Sequence, residues 1–301
     1  MEEQNQTPRR GKVFLGDFLA GFAMGIAFII PGFSGGSVAA ILGVYEKLVG
    51  AVADIFKSFK KSVITLIPIA LGLVLGAVSL LFPLGAALEA FPLPTVSLFV
   101  GLAIGGVPSI TDRVPGKPSA KNITALLIPA FLALALSFLP VSAERDLFSL
   151  SPFGYLVLFL VGLLGSTALV VPGISGSMLL LILGYYNPLI KAFTEHLLLG
   201  RDILKSLLVL GSCALGIAVG FFLISIIMRR LLERYPRSTY YAIIGFVVGS
   251  LPTVYISTAK DAGLTLGTLP ESAWHWIACV LLLALGVLIS LSFTRLAKKK
   301  K

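Results

Sequence analysis

Charge is what this chain has least of for its length. Of its 301 residues only 13% are Asp, Glu, Lys or Arg, while 57% are hydrophobic and the mean hydropathy is +0.98. A water-soluble fold of this size needs a polar exterior, and the chain does not carry enough polar residues to build one. Histidine and cysteine are scarce too, at two each. Cys213 and Cys279 both lie inside apolar runs and read as small hydrophobes, not as a disulfide or a metal site. His196 and His275 have no companion at metal-ligand spacing, and Trp274 and Trp276 bracket the second as an aromatic belt would. No metal and no cofactor is expected. Neither histidine adjoins a serine motif, and no Asp/Glu pair recurs beside one, which argues against a lipid phosphatase or other enzyme.

The net charge of +10 does not point to nucleic acid. The basic residues stand in short clusters between apolar runs, with no aromatic interleaving, which is the distribution of loops that face anionic lipid. Five clusters hold 18 of the 24 lysines and arginines: Arg9/Arg10/Lys12, Lys57/Lys60/Lys61, Arg113/Lys117/Lys121, Arg229/Arg230/Arg234/Arg237 and Arg295 with Lys298 to Lys301. Residues 83–94, 141–151, 194–206 and 258–272 are poor in them.

Long apolar runs are abundant, at 13–30, 33–52, 62–82, 95–111, 122–141, 152–171, 173–193, 203–227, 239–257 and 273–294. About 20 apolar residues cross a ~30 Å hydrocarbon core as a helix, so the chain reads as an all-α polytopic membrane protein. The first run follows basic residues as a signal peptide would. It lacks a small-residue cleavage pattern and recurs later in the chain, so it is expected to be retained.

That recurrence is an internal duplication. PGFSGGSVAAILGVYEKLVGA (31–51) aligns without gaps on PGISGSMLLLILGYYNPLIKA (172–192), with 10 identities in 21 positions at an offset of 141. GLAIGGVP (101–108) recurs as GFVVGSLP (245–252) at an offset of 144. The chain divides into a cytoplasmic arm (1–12), repeat 1 (13–145), repeat 2 (146–294) and a basic tail (295–301), all within a single membrane domain. Each repeat is a broken hairpin followed by three apolar runs.

Placing the basic clusters inside threads the chain. The hairpin 13–52 leaves and returns to the cytoplasmic side, three crossings put 142–151 outside, the hairpin 152–193 starts and ends outside, and three more crossings return the tail. The fold expected is two inverted-topology repeats, with both termini cytoplasmic. Parity is the same whether each hairpin spans fully or turns at mid-depth.

In IIPGFSGGS, Pro31 blocks a continuous helix, and Gly32, Gly35 and Gly36 allow backbone closed to other residues. A new helix should begin after the glycines, with Ser34 or Ser37 as its N-cap. VVPGISGSM repeats the pattern with Pro172, Gly173, Ser175, Gly176 and Ser177. Unwound backbone at membrane depth survives only where protein or a watery cavity satisfies it, and paired broken segments in inverted halves mark a transporter's midplane site. Glycine amides and serine hydroxyls at a helix start suit an anion such as phosphate or carboxylate. The bland alternative is a tight turn whose small residues only let helices pack closely.

Charges that border the apolar runs are the second group of candidates, because a charge at the bilayer centre costs about 2.5–3.5 kcal/mol on insertion scales. Asp17 begins its run. Glu46 and Lys47 follow the first hairpin and, as sequence neighbours on a helix, do not face each other. Their repeat counterparts are Asn187 and Pro188, so any ionisable role belongs to one half. Asp112 and Arg113 close GGVPSITDR, either as headgroup contacts or as a plain cytoplasmic loop.

The two PGxSG hairpins, IIPGFSGGSVAAILGVYEKL and VVPGISGSMLLLILGYYNPL, with the GxxxGxxP element in each half, resemble the bacterial polyprenyl-phosphate transporter family over essentially the whole chain. The resemblance implies a transporter in the bacterial cytoplasmic membrane that returns undecaprenyl phosphate, the lipid carrier of cell-wall precursors, from the outer to the inner leaflet. It carries a substrate role to Pro31, Gly32, Ser34, Gly35, Gly36, Pro172, Gly173, Ser175 and Gly176. The partners implied are a lipid phosphate and membrane lipids, with proton or sodium as a possible coupling ion. SGSM replaces SGGS in the second copy, so the two hairpins need not contribute equally. The alternative reading is a secondary transporter of another anion with the same architecture.

Overall fold

The computed structural model describes residues 10–29, 34–114, 116–264 and 273–299. Among them there is helix and no strand, as a chain that must satisfy its backbone within lipid requires. In chain order the helices are α1 (Arg10–Ile29), α2 (Gly35–Ile41), α3 (Tyr45–Ala53), α4 (Phe59–Ala90), α5 (Pro92–Thr111), α6 (Ala120–Leu136), α7 (Pro152–Gly165), α8 (Thr167–Val170), α9 (Gly176–Ile182), α10 (Tyr186–Lys191), α11 (Ile203–Arg234), α12 (Pro236–Asp261) and α13 (Ala273–Lys299). A π-helical segment, Ala192–Leu198, links α10 towards α11.

Six stretches are long and apolar enough to cross a membrane: Phe59–Leu80, Pro92–Thr111, Pro152–Val170, Ile203–Arg234, Pro236–Lys260 and Ala273–Ser292. Five lie in runs expected to cross. The sixth, Pro152–Val170, was expected as the first arm of the second hairpin. Of the third run of the first half, α6 keeps only 17 residues.

α5 and α12 are the central helices, 56% and 50% buried across their apolar windows, against 11% for α13. The outer helices turn large side chains outward, among them Phe82, Phe131, Leu204 and Val280. In water this surface would be an aggregation hazard, and against lipid tails it is ordinary.

Glycines set how closely the helices approach. A Cβ on Gly72 or Gly76 of α4 would stand 2.0 or 2.1 Å from the Phe18 or Phe22 carbonyl oxygen of α1, and one on Gly216 of α11 would stand 2.0 Å from that of Phe159 in α7. Gly101 and Gly105 of α5 press on the Leu283 and Val287 carbonyls of α13. Gly245 and Gly249 of α12, each 144 positions later, press on the Leu126 and Ala130 carbonyls of α6. Without a hydrophobic drive between helices in lipid, the packing that such close approach allows is one of the forces that associate them.

The hairpins break twice, where the sequence reading foresaw one break. α2 and α3 meet at 116°. The turn between them uses Gly43 at φ +77°, and the matching turn between α9 and α10 uses Gly184 at φ +80°. Both conformations are costly for a residue with a Cβ. The signal was present in the aligned LGVY and LGYY.

Candidate functional site

Each motif leads into its short helix through an extended serine, Ser34 before α2 and Ser175 before α9. The two hydroxyls then part ways. Ser175 Oγ accepts from the Met178 amide at 3.4 Å, as an N-cap does, and lies 3.1 Å from the Ser177 hydroxyl. Ser34 makes no side-chain cap; its hydroxyl donates across to the Ala168 carbonyl in α8 at 3.4 Å. Ser37 does not cap α2 either. It sits within the first turn, fully buried, its hydroxyl without a partner among the described residues. Pro31 and Gly32 lie outside the described residues.

The two motifs meet. A Cβ on Gly36 would stand 3.4 Å from the Pro172 backbone, and Pro172 itself is fully buried. Gly173 holds φ +82°, and a Cβ there would stand 2.2 Å from the Phe246 carbonyl oxygen of α12, so conformation and space both demand glycine. Beside this junction is a cavity of about 210 Å³ reaching from Phe28 and Ser34 to Gly165, Ser175, Ser177 and Ile217. The side-chain polar groups among its described lining are the three serine hydroxyls, and no charged side chain joins them. That volume falls below the roughly 300 Å³ of a pocket for a drug-sized ligand, so it suits a small polar group between apolar walls. α2 and α9 have seven residues each, too short for a full helix dipole. Donor groups close to the cavity must therefore supply any attraction for an anion.

Four of the five charged candidates are drawn into two ion pairs around the first hairpin. Lys47 of α3 pairs with Asp17 of α1, whose carboxylate is buried. Arg113, just past α5, pairs with Glu46 of α3 at 3.1 Å. Its guanidinium also donates to the Tyr240 hydroxyl of α12 at 3.2 Å and to the Gly43 carbonyl at 3.4 Å. Glu46 and Lys47 thus point to different helices, as their adjacency required. Asp112 is exposed at the C-cap of α5. Ser109, which donates to the Ile41 carbonyl at 2.6 Å, and Tyr240 were not singled out from the sequence. Nothing local marks them, because their partners lie 68 and 127 positions away.

At the far end of α3, Arg229 of α11 bonds Asp54 at 2.5 Å, and this hydrogen bond holds the Asp54 carboxyl below the usual carboxylate range. In the second half Lys191 and Asn187 bond Glu144 at 2.8 and 3.0 Å and lower its pKa likewise. No cluster of metal-ligating side chains is present among the described residues.

A helical body with six membrane-length stretches among the described residues is that of a multi-pass membrane protein. Comparison with known proteins agrees. The profile of the undecaprenyl phosphate translocase-like family matches residues 24–266. A polyprenyl-phosphate transporter of Staphylococcus aureus (strain NCTC 8325 / PS 47) is 31% identical over 290 residues, which cover 95% of this chain and 98% of the relative. A polyprenyl-phosphate transporter of Vibrio cholerae serotype O1 is 28% identical over 257 residues, covering 80% and 78%. No solved structure matches. The chain belongs to the undecaprenyl phosphate translocase-like family. The relatives named here are transporters, not enzymes.

Proposed function

We propose that this protein moves polyprenyl phosphate, and specifically undecaprenyl phosphate, between the leaflets of the bacterial cytoplasmic membrane, returning the lipid carrier to the inner leaflet. The observation that carries this reading is the meeting of two PGxSG motifs, 141 positions apart, beside one cavity lined by Ser34, Ser175 and Ser177. The headgroup accepts hydrogen bonds from these hydroxyls and from nearby glycine amides. The tail stays in the bilayer, since taking it into water would cost about 0.8 kcal/mol per methylene. The names of the two relatives support the substrate class.

Two inverted repeats, with both termini cytoplasmic, are the architecture this reading uses. It is supported by seams that repeat at the duplication offset: Gly101 and Gly105 on α13, Gly245 and Gly249 on α6. In each case a helix of one half packs on the last helix of the other. Gly43 and Gly184 turn the two hairpins alike.

The test is leaflet exchange of labelled undecaprenyl phosphate in proteoliposomes, without and with an imposed proton or sodium gradient. A hydrogen bond to a charged group is worth about 1.5–3 kcal/mol, and 1.4 kcal/mol is tenfold. The Ser34→Ala/Ser175→Ala variant should therefore lose at least about tenfold in exchange while still eluting as a folded protein. Protein-dependent uptake of a water-soluble anion with no lipid exchange would replace this reading by the other transporter class. Unchanged exchange in the folded double variant would remove the serines from the site.

A further inference from the structure

We propose that Arg113 latches a gate at the first hairpin, and that the structure is the state with this gate shut and the second hairpin open. The inference rests on the inverted-repeat transport reading above and adds the state and the residue that holds it.

The short helices that follow the two motifs differ in exposure, although Pro172, Gly173 and Ser175 of the second motif are buried. Ser34, Gly35, Gly36 and Ser37 are all buried. No residue of α9 is fully buried, and Ser177 is exposed. α9 reads GSMLLLI and α2 reads GGSVAAI, and since lipid tails are as apolar as leucine, the comparison rests on the contacts each helix makes. Packing decides the difference. α2 is seated on α5, where a Cβ on Gly106 would stand 2.3 Å from the Ile41 side chain and the Ser109 hydroxyl holds the Ile41 carbonyl at 2.6 Å.

The matching seat on α12, 144 residues on, is looser: the Ser257 hydroxyl meets the Met178 sulfur of α9 at 3.7 Å, but Ser250 and Thr253 bond elsewhere. Ser250 bonds within its own helix, to the Val247 carbonyl at 2.8 Å, and Thr253 bonds Ser137 of the α6 C-cap at 2.8 Å. A small void of about 10 Å³, lined by Thr253, Met178 and Ile182 among others, lies between α9 and α12. The end of α9 is tied instead to the linker ahead of α7, with the Ser142 amide on the Ile182 carbonyl at 3.1 Å and the Arg145 amide on the Gly184 carbonyl at 3.0 Å.

Arg113 is placed to hold the first seat shut. One guanidinium joins Glu46 of α3, the carbonyl of the hinge glycine Gly43 and Tyr240 of the central helix α12. The position 144 residues later is Ser257, which cannot make these ties. The first hairpin is therefore latched to the central helix α12, whereas the charged tie of the second, Lys191 to Glu144, joins α10 to the linker ahead of α7. With the basic loops inside, the latched gate is cytoplasmic, and the exposed Ser177 belongs to a state that accepts a headgroup from the outer leaflet. In the opposite state Arg113 releases Glu46, α2 leaves α5, and α9 closes the void against α12.

The test uses the full chain in proteoliposomes, with Cys213 and Cys279 replaced by alanine and single cysteines read by their rate of reaction with N-ethylmaleimide. Ser177→Cys should react at least about tenfold faster than Ser37→Cys. Adding Arg113→Gln should speed Ser37→Cys and slow Ser177→Cys together. In a second readout, disulfide formation in an Ile182→Cys/Thr253→Cys pair should accelerate several-fold with Arg113→Gln, which general loosening of the fold would not produce. Unchanged rates, or both cysteines speeding up with no gain in cross-linking, would overturn the proposal. These readouts need no transported substrate, so reciprocal labelling without lipid exchange would overturn the substrate assignment and leave the gate standing.

Discussion

Leucine in place of Gly101 or Gly245 should lower the thermal midpoint of the detergent-purified protein by more than any surface change and abolish transport. Even the first carbon of the new side chain would stand 2.1 Å from a backbone oxygen, that of Leu283 or of Leu126. Backbone cannot swing aside as a flexible side chain can, so each helix pair must separate. Overpacking in a dense interior costs about 1–3 kcal/mol, and a branched residue at a backbone contact belongs at or beyond the upper end. At about 2–4 °C per kcal/mol for a large domain, the midpoint should fall by roughly 6–12 °C. Because the two seams are equivalent in geometry, the two variants should fall by similar amounts. Gly85→Ala and Gly211→Ala are the controls, since a Cβ at either position meets nothing within 4 Å. They should gain up to about 1 kcal/mol from helix propensity. Losses as large in the controls as at the seams would show that helix glycines matter here for some reason other than close approach.

The second large effect should come from separating Asp17 and Lys47. Lys47→Met leaves the Asp17 carboxylate 9% exposed, with its counter-ion gone. Breaking one side of a buried pair costs about 3–5 kcal/mol, and the partial exposure of Lys47, at 37%, brings the expectation down to about 2 kcal/mol. Asp17→Asn/Lys47→Met removes both charges and should recover most of that loss. Thermal unfolding of the two single variants and the double variant closes the cycle. A double variant as unstable as the sum of the singles would mean that the two charges do not interact.

Charge scarcity and run length placed the chain in a membrane, because lipid as a solvent imposes one rule on the whole backbone. The duplication was read by alignment, and with it came the two proline breaks, since proline and glycine act on the few residues around them. The second break, at Gly43 and Gly184, was written in the same aligned segments. It went unread because a glycine inside an apolar run looks like helix until its φ turns positive. Asp17, Glu46, Lys47 and Arg113 were singled out for the cost of their charge, and that reasoning needs no partner to be known.

The partners themselves required the tertiary structure. Ser34 reaches Ala168, 134 positions away, and Arg113 reaches Tyr240, 127 away, through helix crossings whose closeness is set by glycines on other helices. Such distances are properties of packing, which no local pattern encodes. The sequence by itself determined a membrane-embedded helical duplication with two matched motifs, because solvent, chain stiffness and descent act on each residue where it stands. Only the tertiary structure decided that α2 is seated on α5 while the matching α9 stays half-buried, because segments of one duplication are separated in energy by what they pack against.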